Sequence, residues 1–357
     1  MRKHLLPPAL LVVGGAGLLV FGVTFPDRYA LLLQEDGPVE WCTFWAFVAA
    51  AAVFLAGPAR SRTKEGDETE RYLAVGLAAF CLFVAGEEIS WGQRLLGYQP
   101  PELFLARNYQ QESNLHNLLK DVFESRWQVF LIAVGYGVIT PLAGWRAWLP
   151  PPWAPHPAVI PAALVVLAIE LFYPLELSGE VAEAVLGGLF LHDALLRWQG
   201  PSTGRQVLAM GVCVAFGVAT PLVLDRTLYA SSDAKVAVAR SELEQLAGHV
   251  RRDGTTSRLA GRRRVHKRVF TAMAVGYLRA QPMTTTNVDV SDERRATYEL
   301  DPWQQPYWIL MTKHADGSPT ILLYSFGPNR RRDTVLDEAM ADGAMAGDDL
   351  GVSLRLE

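Results

Sequence analysis

Residues 206–224 read QVLAMGVCVAFGVATPLVL, a run without one charged side chain, and the chain changes character on its far side. A bilayer core is crossed by a helix of about 20 mostly apolar residues. This run therefore predicts a transmembrane helix. From Asp233 onward Arg, Asp and Glu recur every few residues, as in a water-soluble domain. The chain divides accordingly into a membrane part, residues 1–226, and an aqueous part, residues 227–357.

Reading back toward the amino terminus, apolar runs of similar length recur at about 8–25, 41–58, 72–90, 127–145, 157–174 and 181–197. With the run already quoted they predict seven spans. The first has basic Arg2 and Lys3 before it and resembles a signal peptide, but Gly14 to Val23 continues the run without a small-residue cleavage site. An uncleaved helix is expected. Half of the 357 residues are apolar and the formal net charge is only -4, which excludes an ordinary soluble enzyme and gives no push toward nucleic acid. Cys42, Cys81 and Cys213 all fall in apolar runs, so no disulfide framework is available to the aqueous third.

Lys and Arg in short loops set orientation. Arg2 and Lys3, then Arg60, Arg62, Lys64 and Arg71, then Arg197 and Arg205 mark loops expected on the cytoplasmic side, while Pro26 to Glu40 and Leu175 to Glu180 hold only Arg28. An odd number of spans places the aqueous part on the opposite side, the periplasm of a two-membrane bacterium, with the protein in the inner membrane. Tryptophans near span ends, such as Trp41, Trp91, Trp145 and Trp198, fit interface anchors.

In the aqueous third, Ala234, Val238, Leu243, Leu246 and Val250 follow helical spacing and predict a helix over 231–252, a stiff continuation of the seventh span. Tyr307 to Lys313 and Thr320 to Phe326 read as a hairpin with a polar turn at Ala315 to Ser318, and Val352 to Leu356 as a last strand. The basic run Arg262, Arg263, Arg264, His266, Lys267, Arg268 reads as a solvated charged helix face, with anionic lipid or an acidic partner as the sharper alternative.

Three short strings stand in a familiar order: Asp301-Pro302-Trp303-Gln304-Gln305-Pro306-Tyr307, Tyr324-Ser325-Phe326-Gly327-Pro328-Asn329 and Gly347-Asp348-Asp349-Leu350. Together with the helix before them they resemble the soluble domain of the major pseudopilin of type II secretion systems. The likeness covers roughly Leu228 to Glu357. It implies a small α+β domain, a long helix on an antiparallel sheet, and calcium held by an acidic loop. Residue by residue, the implied calcium ligands are Ser325, Asn329, Asp348 and Asp349, with secretion or other envelope proteins as partners. Seven spans in place of one processed leader imply that the domain does not polymerise.

A second group of polar residues lies at the end of the third span and beyond: Glu87, Glu88, Gln93 and Arg94, then Asn108, Glu112, Asn114, His116 and Asn117. Carboxylates inside a span cost about 2.5 to 3.5 kcal/mol each at its centre, so they mark function or firm partners. If the later segment is helical, Glu112 and His116 stand four apart on one face. The predicted topology brings Glu170, Glu176, Glu180 and Glu183, around the turn between spans five and six, to the same side of the membrane. Such a set suits a metal-assisted hydrolase, a proton relay or a polar-ligand site, with Glu87, Glu88, Glu112 and His116 as acid, base or ligands. Helix capping and loop wiring are the bland reading of the same residues. The Glu-Glu pair also resembles the diglutamate of CAAX-protease-like membrane enzymes, though Arg94 lies out of register and the later histidine motif is missing. The strings Glu-Glu-x-Ser-Trp-Gly-Gln-Arg and Asn-Leu-His-Asn resemble those of a set of bacterial multi-span membrane proteins, a likeness that brings no function with it.

Overall fold

The structure is a computed structural model and describes residues 6–60, 68–96, 113–115, 125–150, 153–199, 202–228, 233–252, 264–268, 301–303, 305–313 and 319–355. It falls into two compact units, Met1–Val223 and Leu224–Glu357.

The first unit is helical. Its elements are α1 (Leu6–Thr24), α2 (Pro26–Leu33), α3 (Pro38–Arg60), α4 (Glu68–Glu88), a short 3-10 turn Ser90–Gly92 running into α5 (Gln93–Leu96), α6 (Ser125–Ile132), a π-helical stretch Ala133–Ile139, α7 (Thr140–Trp145), α8 (Ile160–Phe172), α9 (Ser178–Gln199) and α10 (Thr203–Thr227). Among the described residues five helices are long and apolar enough to cross a membrane: Leu6–Thr24, Pro26–Gly57, Glu68–Glu88, Arg126–Trp145 and Thr203–Thr227. These mark a membrane protein. α8 is apolar but short. α9 carries Glu180, Glu183, His192, Asp193 and Arg197 and is not among the five.

Many of the seams inside this unit are lined by small residues, and many of its large apolar ones face outward. Ala46, Ala50, Ala51, Ala74, Ala78, Ala85, Ala162, Ala163 and Ala182 are buried, whereas Val13, Val20, Leu82, Leu208, Phe216 and Leu222 are exposed. Lipid is as apolar as leucine, so helices in a bilayer associate through close packing, and small residues at the seams permit it. A Cβ placed on Gly217 of α10 would stand 2.7 Å from the Cys42 nitrogen and 2.8 Å from its Cα. On the same seam Trp45 Nε1 donates to Thr220 Oγ1 at 2.9 Å. α9 is the central helix, packed against α1, α3 and α8. Val181, Leu186, Leu189, Phe190, Leu191 and Leu195 are all buried on it, and a helix screened from lipid on every side can carry polar groups.

The second unit contains α11 (Asp233–Arg252), β1 (Arg264–Arg268), β2 (Trp308–Lys313), β3 (Pro319–Ser325), α12 (Leu336–Asp342) and β4 (Leu350–Arg355). The four strands form one antiparallel sheet in the order β1-β2-β3-β4. Alternate residues of a strand point to opposite faces. Ile309, Met311, Ile321, Leu323 and Leu354 therefore meet Leu243, Leu246, Ala247 and Val250 of α11. Leu310, Leu322 and Tyr324 turn the other way and pack on Leu336 and Ala339 of α12. With both faces covered, the two central strands read as unbroken apolar runs.

One expectation is corrected here. Residues 264–268 are not a charged helix face but a strand, at the edge of the sheet among the described residues, with Arg264 opposite Thr312 and Arg268 opposite Trp308. The polar turn of the hairpin and the link between α10 and α11 lie outside the described residues.

Candidate functional site

The Gly-Glu-Glu string resolves into separate jobs, because successive residues of a helix point about 100° apart. Glu87, at the buried end of α4, accepts the Trp91 Nε1 hydrogen at 2.6 Å on one oxygen and the Leu115 backbone N–H at 2.6 Å on the other. Gln93 Oε1 accepts the Ser113 N–H at 2.7 Å, and Asn114 Nδ2 donates to Ser90 Oγ at 3.1 Å. The segment 113–115 is thus stapled to the end of α4 and the turn after it by three hydrogen bonds.

The turn that carries the staples is left-handed, with φ of 47° at Ser90, 55° at Trp91 and 75° at Gly92. Only glycine adopts this region freely, so Ser90 and Trp91 are held there by their surroundings. The Trp91 ring lies over Gly86, where a Cβ would meet it at 3.0 Å. Glu87, expected as an acid or ligand, has both oxygens engaged in holding this turn and the segment 113–115.

Glu88 turns elsewhere. One oxygen from each of Glu88, Glu180 and Glu183 lies within 4.8 Å of the other two. Glu180 and Glu183 sit at the start of α9, after a turn in which Tyr173 and Leu177 both take positive φ. Glu170, in the last turn of α8, is 4 % exposed, and among the described residues neither carboxylate oxygen has a hydrogen-bond partner. Glu183 and Arg126 are the charges nearest to it. Among the described residues the buried Tyr29 hydroxyl also has no hydrogen-bond partner, and Tyr173 and Glu180 act on it. Glu176 is exposed on the turn and does not join the three.

Two carboxylates at such a separation repel by about 3 to 4 kcal/mol at an effective dielectric constant of ~20. Three of them persist together only with protons or a cation among them. An all-oxygen set of this kind suits hard divalent ions, magnesium, calcium or manganese, over zinc or copper. Glu112, His116, Asn108, Asn117 and the Arg94 side chain lie outside the described residues. Tyr29 and Arg126 were not singled out from the sequence. Their place beside the cluster follows only from packing, since Tyr29 belongs to α2, within the stretch Pro26 to Glu40 expected as a loop.

In the second unit the three quoted strings meet through their own hydrogen bonds. Asp301 is fully buried. Its Oδ1 accepts the N–H groups of Trp303 and Gln305, both at 2.9 Å, and its Oδ2 accepts the Ser325 hydroxyl at 2.5 Å. Ser325 Oγ in turn accepts the Gly327 N–H at 3.0 Å. Burial pushes the Asp301 carboxyl up to about 6 against the opposing pull of Ser325, the two backbone donors and Arg330.

Asp349 Oδ2 accepts the N–H groups of Asp333 and Thr334 at 2.9 and 2.7 Å, and burial raises this carboxyl to about 7. Asn329 donates to Asp333 at 2.8 Å and accepts the Arg331 N–H at 3.0 Å, while Asp348 donates its own N–H to Asp333 at 3.2 Å. Of the four residues implied as calcium ligands, Ser325, Asn329 and Asp349 thus already serve neighbouring groups of the chain. Arg331 also approaches Asp333 at 3.4 Å.

No protein family, curated protein or solved structure matches this chain.

Proposed function

We propose that this chain is a membrane-embedded, divalent-cation-dependent protein, with Glu88, Glu180 and Glu183 as the cation's ligands and a hydrolytic reaction as its use. The convergence of these three carboxylates from two helices carries the reading. A cation there would polarise a substrate oxygen or lower the pKa of a water, and Glu170, buried beside Glu183 with both oxygens unengaged, is the base at hand. In this reading the chain crosses the inner membrane seven times with its amino terminus cytoplasmic, and α9 is a crossing in spite of its charges.

Titration of the full chain in detergent with Mn(II), followed by the loss of the free-ion paramagnetic resonance signal, tests this. One tight site is expected, weakened at least about tenfold by Glu88→Gln and again by Glu183→Gln, because ligand charge sets affinity in oxygen sites. Absence of binding, or binding indifferent to both changes, removes the proposal.

A second reading takes the aqueous unit as the working part, a periplasmic pseudopilin-like module that docks envelope or secretion proteins. The helix-backed antiparallel sheet, tied at Asp301 and Ser325, favours it. Calcium held near Asn329, Asp348 and Asp349 belongs to this reading. Millimolar calcium should then raise the unfolding temperature of this unit in the full chain, and Asp348→Ala should abolish the rise. No rise in the parent protein would dispose of the calcium.

A further inference from the structure

At the other end of α9 a second polar group is buried, unconnected with the carboxylates above. Asp193 has a side chain with no exposure, and its Oδ2 accepts the Arg197 Nε hydrogen at 2.6 Å and the Tyr136 hydroxyl at 2.6 Å. Tyr136 belongs to the π-helical stretch, and its ring stacks on Phe190 with centroids 4.4 Å apart. π-turns inside helices gather at functional sites. This one presents a phenol to a buried carboxylate. Asp193 thereby fixes Arg197 by its Nε edge.

Arg197 lines a cavity of about 260 Å³ together with Trp198, Glu70, Phe54, Leu73, Ala74 and Leu77. Its walls come from the first turns of α4, the last turn of α9 and the late part of α3. Trp198 is set firmly. A Cβ on Gly57 would stand 2.2 Å from its ring, so the α3 backbone lies directly against the indole. Its Nε1 hydrogen is buried and has no hydrogen-bond partner among the described residues. A cation, a neutral donor and a carboxylate thus share a chamber whose remaining surface is apolar, at helix ends where a span meets the polar layer of a bilayer.

We propose that this chamber binds the headgroup of a zwitterionic aminophospholipid, its phosphate on Arg197 and the Trp198 Nε1 hydrogen and its ammonium on Glu70. Arginine is the usual partner of phosphate oxygens, and Glu70 supplies the opposite charge that a purely anionic headgroup would be repelled by. The volume lies below the roughly 300 to 1,000 Å³ of sites that enclose a whole drug-sized ligand. It suits a headgroup alone, with Phe54, Leu73 and Leu77 meeting the first carbons of chains that remain in the bilayer. The inference rests on the membrane reading of the first unit and not on the cation site.

The test is thermal unfolding of the full chain in mild detergent supplemented with phosphatidylethanolamine, phosphatidylglycerol, soluble glycerophosphoethanolamine or inorganic phosphate. Phosphatidylethanolamine is expected to stabilise most. Glu70→Gln, at a half-buried position, should erase its advantage over phosphatidylglycerol, and Trp198→Phe should weaken the response to both lipids about tenfold, the worth of one hydrogen bond to a charged group. The far-ultraviolet circular dichroism of each variant and its unfolding transition without added lipid serve as the check on folding, and Arg197 substitutions, which break a buried ion pair, are avoided. Equal stabilisation by the two lipids in the parent protein overturns the proposal. So does an undiminished response in Trp198→Phe, or full stabilisation by inorganic phosphate or the soluble headgroup, which would assign the chamber to a free anion.

Discussion

Replacing Asp301 by alanine is expected to destabilise the second unit by about 4 kcal/mol, whereas asparagine at the same position is expected to leave it intact. Alanine strips the acceptor from the buried N–H of Trp303, the N–H of Gln305 and the Ser325 hydroxyl. Each buried donor left without a partner costs about 1 to 3 kcal/mol, against a total stability of about 5 to 15 kcal/mol for a typical domain. Asparagine keeps the Oδ1 acceptor for both backbone donors, and its amide donates to Ser325 Oγ, reversing the direction of that hydrogen bond. It therefore reproduces the protonated carboxyl.

The pH dependence separates the two substitutions. The Asp301 carboxyl is raised from 3.8 to about 6 and that of Asp349 from 3.8 to about 7. Both groups hold their protons more firmly folded than unfolded, so their contribution to stability is complete below about pH 4 and is lost as the pH rises through 6 and 7. For Asp301 alone the loss is about 3 kcal/mol. Asp301→Asn should flatten the Asp301 part of this decline and stand above the parent protein at pH 8. Hydrogen exchange of β2, β3 and α11 in the full chain, measured from pH 5 to 8, provides the comparison. A parent protein more protected at pH 8 than at pH 5 would contradict the assignment.

Gly217→Val is expected to be the most damaging single change in the first unit. The added carbons would run into the Cys42 backbone nitrogen and Cα as well as its Sγ. Backbone cannot swing aside as a long side chain does, so α3 and α10 must part. Their separation also breaks the Trp45 to Thr220 hydrogen bond and the weak contacts of Cys213 Sγ with Trp45 O and of Cys42 Sγ with Val214 O. Overpacking a well-filled seam costs about 1 to 3 kcal/mol, and more where nothing can yield. The native thiols report the result. In the variant Cys42 and Cys213 should become reactive toward a maleimide while Cys81, buried on α4, stays protected. Unchanged labelling at both would show that the seam tolerates a side chain.

Hydropathy made most of the first unit legible, since long apolar runs have few other uses and each predicted span holds a helix. The expected crossings put Glu170, Glu180 and Glu183 on one side with Glu88, and Glu88, Glu180 and Glu183 do come together. The division of labour between Glu87 and Glu88 was not legible. One step along a helix rotates a side chain by about 100°, and nothing in the letters says which of two neighbours faces the staple and which the cluster.

The strand at Arg264–Arg268 was misread because five mostly basic residues lack an apolar period of either kind, and only the pairing with β2 gives them a shape. Tyr136 and Asp193 escaped notice as a pair. They lie 57 positions apart in sequence, and the contact depends on a π-turn that shifts the phenol around its helix. Glu176, by contrast, was grouped with its neighbours on proximity in sequence alone, and the turn leaves it in solvent.

The enclosure of α9 bears on how the chain is made. Each ionised residue near the middle of a nascent segment adds about 2.5 to 3.5 kcal/mol to its partition from the translocon into lipid, and α9 has Glu183 and Asp193 well inside its length. It therefore makes a poor solitary passenger. As the crossing proposed above, it should depend for its integration on the earlier-made α1, α3 and α8 against which it packs, so that a chain lacking α8 leaves a segment that slips back toward water.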